Sequence, residues 1–123
     1  MQWLIAGYAA ALFAGQFDGS GNVCGGKLLI EEANLTWRTA SGHCKEVPYK
    51  VIERGAKEQS ASVVLQLDAS PSCLFQIIKL EPDARKPEFW NVTAYLSAAD
   101  FKNPRLQPHQ RLECSVHKVD GKS

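Results

Sequence analysis

Cys24–Arg54, CGGKLLIEEANLTWRTASGHCKEVPYKVIER, holds two cysteines, a glycine pair and three strand-like runs in about a quarter of the chain. Leu35 and Trp37 alternate with Asn34, Thr36 and Arg38, the two-residue period of a strand with one buried face. Glu31, Glu32, Ala33 and Asn34 interrupt the apolar pattern, so Lys27 to Thr39 reads as two short strands with a hairpin between them. Ala40–Lys45, which carries His43 and Cys44, reads as a turn. Pro48 then opens a third strand in which Tyr49 and Val51 oppose Lys50 and Ile52.

The same grammar recurs downstream. Val63, Leu65 and Leu67 share one face against Gln66, and Trp90, Val92, Ala94 and Leu96 share one against Asn91, Thr93 and Tyr95. Leu74–Leu80 is apolar on both faces and predicts a central strand. Leu112, Cys114 and Val116 form the inward face of a last strand, Leu112–Val119. Ser97 to Lys102 predicts one helical turn, capped by Ser97 and stopped before Pro104. Between these segments lie a turn at Ala69–Ser72 and polar or proline-bearing loops at Gly55–Ser62, Glu81–Glu88 and Asn103–Arg111. About seven or eight short strands separated by turn signals, with no long amphipathic helix, predict an all-β single domain: a small antiparallel barrel or sandwich with one short helical turn.

Upstream, Met1–Gly15 (MQWLIAGYAAALFAG) has no charged residue, and the first charge is Asp18. Two readings stand: a signal-like remnant lacking the usual basic start, or a first strand or apolar helix of the domain. The chain therefore divides into an apolar segment at 1–15 and a β domain at 16–123. The apolar run is too short to cross a bilayer, so no stable membrane span is expected. Phe17–Gly26 reads as glycine-rich punctuation.

Composition narrows the partners. Fourteen basic against thirteen acidic residues, with no Lys/Arg run, remove the electrostatic case for nucleic acid. Cys24, Cys44, Cys73 and Cys114 are an even set in a short chain, which points to disulfides and an extracellular or periplasmic location. The pairing that closes the shorter loops is Cys24–Cys44 with Cys73–Cys114.

Motifs for chemistry fall short. Gly21, four residues, Gly26 and Lys27 imitate a phosphate loop, but Leu28 stands where a hydroxyl must hold magnesium. Asp18, Ser20 and Asn22 begin a calcium-type loop that fails at Val23 and Leu29. Cys114 and His117 would diverge on a strand, His43 and His109 lack a ligand-like spacing, and no metal or cofactor is expected. Glu31 and Glu32 are adjacent and diverge likewise, and no nucleophile elbow occurs. Asn34-Leu35-Thr36 and Asn91-Val92-Thr93 are glycosylation triplets whose asparagines face outward in this strand phase. Trp37, Tyr49 and Trp90 would point inward, as core or as the wall of a small-ligand pocket.

These observations lead to a non-catalytic secreted or periplasmic binding protein. It would act on another protein as an inhibitor or protective module, through loops on a disulfide-braced β scaffold. A carrier of a small apolar ligand inside the barrel is the alternative, and a small enzyme with a dispersed site is the second.

Overall fold

Eight strands, each antiparallel to its sequence neighbour, close into a barrel in the computed structural model, which describes residues 13–40, 42–55 and 62–119. In chain order the elements are β1 (Gly15–Asp18), α1 (Gly21–Cys24), β2 (Lys27–Ile30), β3 (Asn34–Thr39), β4 (Gly42–Arg54), β5 (Val63–Leu67) and β6 (Ile77–Pro82). They continue with β7 (Phe89–Tyr95), α2 (Ala98–Phe101), a 3-10 turn (Pro108–Gln110) and β8 (Arg111–Val119). β1 closes the barrel, with Phe17 opposite Leu28 of β2 on one side and Lys118 of β8 on the other. Every described strand is paired on both sides, so the sheet offers no edge as a template for strand addition.

The period-2 phase fills the interior. Leu35, Trp37, Leu65, Leu80, Trp90, Val92, Ala94 and Val116 are buried in one hydrophobic cluster with Phe13, Phe17, Leu28, Ile30 and Ile78. Residues 1–12 of the apolar N-terminal segment, and the signal-like reading made of them, lie outside the described residues. A second layer covers part of the outer wall: Ile77 faces away from the core cluster, pairs with Tyr95 and is buried, and Tyr95 meets the Phe101 ring edge-on at 5.2 Å.

Several boundaries differ from the expectation. Phe17 and Asp18 belong to β1 and Gly21–Cys24 to α1 rather than to a turn, and Arg111 begins β8. Four more lie in β4, β6 and β7. Ala40–Lys45 is not a turn, because β4 begins at Gly42 and runs straight through Pro48. A β-bulge makes this possible. Leu35 pairs with Val47 and Trp37 with Cys44, so an extra residue sits in β4 opposite Thr36. Glu46 takes the strain, with φ at +46° and its N–H donating to Thr36 Oγ1 at 3.0 Å. The bulge lets Cys44 and Val47, three residues apart, both face inward. β6 begins at Ile77, not Leu74; Leu74 is exposed and Phe75 folds over the barrel. Glu81 and Pro82 belong to β6 rather than to the following loop. β7 ends at Tyr95, and Leu96 turns outward into solvent instead of inward. The predicted helical turn is present as α2, with Asp100 N–H donating to Ser97 Oγ at 3.1 Å.

The disulfide pairing is also corrected. The bridges are Cys24–Cys114 and Cys44–Cys73, not Cys24–Cys44 and Cys73–Cys114. Loop-closure entropy describes the unfolded chain, whereas pairing follows which sulfurs the native barrel brings together. β8 returns to β1 across the seam, so Cys114 faces α1 from the far end of the sequence. Cys44, turned inward by the bulge, faces the β5–β6 loop.

Candidate functional site

Alternating strand direction sorts the connections onto two ends. One end carries the β1–β2 loop with α1, the β3–β4 turn, the β5–β6 loop and the long β7–β8 loop. Both disulfides act there. Cys24–Cys114 ties α1 to β8, and Cys44–Cys73 ties the β5–β6 loop to β4.

Backbone contacts complete the bracing. Gly19 N–H donates to the Gly26 carbonyl at 2.9 Å, and Ala40 N–H to the Val23 carbonyl at 3.2 Å. A Cβ on Gly26 would collide with the Arg38 carbonyl, so the glycine is needed for close backbone approach. Strand β2 succeeds it where a phosphate loop would need a helix, and Lys27 reaches Asp18 at 3.9 Å. In the β5–β6 loop, Cys73 N–H donates to the Ser70 carbonyl at 3.2 Å, and the Phe75 ring lies 5.8 Å from that of Trp37. The β7–β8 loop is latched by Arg111, whose Nε donates to Glu113 Oε2 at 2.6 Å and whose Nη1 donates to the Leu106 carbonyl at 3.1 Å. Gln107 and Gln110 cap the intervening 3-10 turn reciprocally.

On this braced base stand three exposed aliphatic side chains from three loops: Val23 at 47% exposure, Leu74 at 57% and Leu96 at 49%. Leu29 on β2 and Ile52 on β4 are exposed as well, so single exposed aliphatics are ordinary on this surface, and what sets this end apart is that three of them stand on covalently pinned loops. Beside Leu96, Phe75 and Leu112 floor a groove of about 210 Å³ whose rim is His109, Gln110 and Arg111.

Trp37 and Trp90 of the aromatic trio expected to line a pocket belong to the core cluster and Tyr49 packs against it, and each meets a different ring. Trp37 packs on Phe75, Trp90 meets Phe17 edge-on at 5.6 Å, and Tyr49 meets Phe13 at 6.4 Å. Trp37 and Trp90 are buried, and the Trp37 indole nitrogen has no hydrogen-bond partner among the described residues. Lys118 extends over both Phe17 and Trp90, its amine 5.7 Å and 5.4 Å from their rings, and burial pushes its pKa down.

Tyr49 is tied to the β2–β3 turn, its phenol donating to the Glu31 carbonyl at 2.5 Å and to that of Glu32 at 3.3 Å. Burial raises its pKa, with the Glu32 charge adding to the effect. The native phenol therefore keeps a proton that the unfolded chain releases near pH ~10. Stability from this group is intact below that pH and falls as pH rises through it. Tyr49→Phe is expected to cost about 0.5–1.5 kcal/mol at neutral pH. It should also flatten the alkaline loss, as read from urea melts on either side of the phenol titration.

In the β6–β7 loop at the other end, Asp83 accepts N–H groups of Arg85 at 2.8 Å and Lys86 at 3.3 Å, and these bonds hold its carboxyl below the usual range. With Phe89 and Ser115 these residues border an open depression of about 380 Å³. The three histidines sit on different elements: His43 on β4, His109 in the 3-10 turn, and His117 on β8 against the Phe89 ring at 5.0 Å. Cys114 is consumed by its disulfide, and no group of three His, Cys, Asp or Glu converges among the described residues. Of the two glycosylation triplets, Asn91 is exposed on β7, whereas Asn34 is half-buried with its Oδ1 enclosed and unpaired among the described residues.

The exposed aliphatics were legible as residues but not as a set, because Leu74 lies in a segment read as buried on both faces and Leu96 carries the phase of a strand interior. Of the loops expected to bind, Asn103–Arg111 lies at the braced end, Glu81–Glu88 lies at the other, and 56–61 of Gly55–Ser62 falls outside the described residues. No family model, curated protein or solved structure matches the chain.

Proposed function

We propose that the chain is a non-catalytic exported binding protein that docks another protein through the disulfide-braced end of its barrel, as an inhibitor or protective partner. One observation carries this reading: Val23, Leu74 and Leu96 project from three loops that two disulfides and the Arg111 latch hold in place. A preformed surface loses little conformational entropy on association, so modest apolar area there contributes efficiently to affinity. Two intramolecular disulfides support an oxidising compartment, extracellular or periplasmic.

The carrier reading retains one supporting observation, the buried Trp37 N–H without a partner among the described residues, to which a ligand acceptor inside the barrel would be complementary. A single experiment separates the two. The disulfide-intact chain is immobilised beside its Leu74→Asp/Leu96→Asp variant, and native extract is passed over both. A protein retained by the first and lost from the second is the expected result. A protein retained equally by both removes the proposed face, and a small-molecule mass adduct on the barrel with no retained protein favours the carrier.

A further inference from the structure

We infer that the groove between the β5–β6 and β7–β8 loops receives one apolar side chain of a partner peptide together with a neighbouring carboxylate. This deepens the proposed docking function and rests on it. The groove, at about 210 Å³, is smaller than the ~300–1,000 Å³ of sites that enclose whole small molecules. Its floor of Phe75, Leu96 and Leu112 is apolar, which suits an aliphatic or aromatic side chain.

The rim sets the second requirement. Arg111 lines the groove and carries five N–H donors in a planar fork. One is used by Glu113 Oε2 and one by the Leu106 carbonyl, leaving three without an acceptor among the described hydrogen bonds. The same two bonds fix the plane of the guanidinium, so the remaining donors are preorganised. Glu113 already offsets the charge of Arg111 through its ion pair at Nε, so the open side of the guanidinium offers a carboxylate matching fork geometry, and the surplus positive charge comes from the loop itself. Gln110 and His109 stand beside it on the capped 3-10 turn and add further polar groups. Lys102 and Arg105 in the same loop form no ion pair among the described residues, and with Asp100 as the loop's lone acidic residue they leave it with an excess of positive charge. The same small groove is lined by the apolar floor and by Arg111, so the side chain and the carboxylate must lie close together, and a peptide C-terminus carries both on one residue. The occupant is therefore the C-terminal residue of the partner.

The test uses the oxidised full chain, nitrogen-15 labelled, and three peptides: acetyl-Ala-Ala-Leu with a free carboxylate, its C-terminal amide, and acetyl-Ala-Leu-Glu amide. At least one carboxylate-bearing peptide is expected to shift the backbone amides of Leu96 and His109–Leu112, with an affinity roughly tenfold above the neutral amide, the factor expected of one charge-assisted pair. The free C-terminal acid is expected to bind more tightly than the glutamate peptide, and the reverse order would overturn the C-terminal assignment. Leu96→Asp, a change at an exposed position, is expected to weaken every peptide; Arg111→Gln should abolish the preference for acid over amide. Shifts confined to other regions, no shifts at millimolar peptide, or equal binding of acids and amide would overturn the inference. If the extract partner is still lost by Leu74→Asp/Leu96→Asp, the docking face stands and only its carboxylate chemistry falls.

Discussion

Replacing Cys24 and Cys114 together by alanine is expected to cost about 4–5 kcal/mol of unfolding free energy. The residues lie 90 positions apart in a chain of 123, so their bond closes a loop of about three-quarters of the unfolded chain. Cys44 and Cys73 are separated by only 29 positions, and the same chain-entropy argument gives about 3.5 kcal/mol for them. The native contributions point the same way. Cys24–Cys114 fastens α1 to the strand that closes the barrel against β1, whereas Cys44–Cys73 fastens one loop to one strand. Guanidinium melts of both double variants without reductant should therefore rank Cys24→Ala/Cys114→Ala as the less stable. The reverse order would mean that closure is secured by strand pairing alone. A non-reducing proteolytic digest gives an independent reading: the fragment holding Cys24 should be linked to the one holding Cys114.

Trp37→Ala is the second large effect, with an expected loss of about 3–5 kcal/mol. Trp37 is 1% exposed, pairs in register with Leu28 and Cys44, and supports the Phe75 ring that folds over it. Removing it opens a cavity at the braced end and leaves the β5–β6 loop without its apolar support, so the surroundings relax only partly. Trp37→Phe should be far milder than its volume change suggests. The buried indole N–H has no partner among the described residues, and an unsatisfied donor of this kind carries a penalty of about 1–3 kcal/mol that phenylalanine lacks. Denaturant midpoints of the two variants check both points. Comparable losses for Phe and Ala would show that the indole nitrogen has an acceptor in the native protein.

The candidate face combines what residue patterns express with what they hide. Leu74 opens a segment apolar on both faces and Leu96 continues an alternating run, so pattern alone buries both. Leu74 is exposed because β6 starts later, after Cys73 has been drawn to Cys44 and Phe75 has taken the interior position. Leu96 is exposed because β7 pairs with β8 only as far as Tyr95, opposite Arg111. In both cases a strand ended where its partner ended, and no local signal marks that point. Arg111 is similar: its roles as latch and groove rim depend on Leu106 and Glu113 being brought beside it.

Local chemistry determined the all-β class, the interior faces of β3, β5 and β7, the Ser97 cap and the bracing of the chain by its four cysteines. Each rests on a side-chain period or on hydrogen bonding within a few residues. Tertiary structure decided the rest. Barrel closure put β8 beside β1 and so paired Cys114 with Cys24. The bulge at Glu46, a positive φ adopted by a residue with no intrinsic preference for it, turned Cys44 toward Cys73. The Cys24–Arg54 stretch thus encodes three strands by its own alternation. The partners of its two cysteines, and the apolar end that those bonds brace, depend on contacts 29 and 90 residues away.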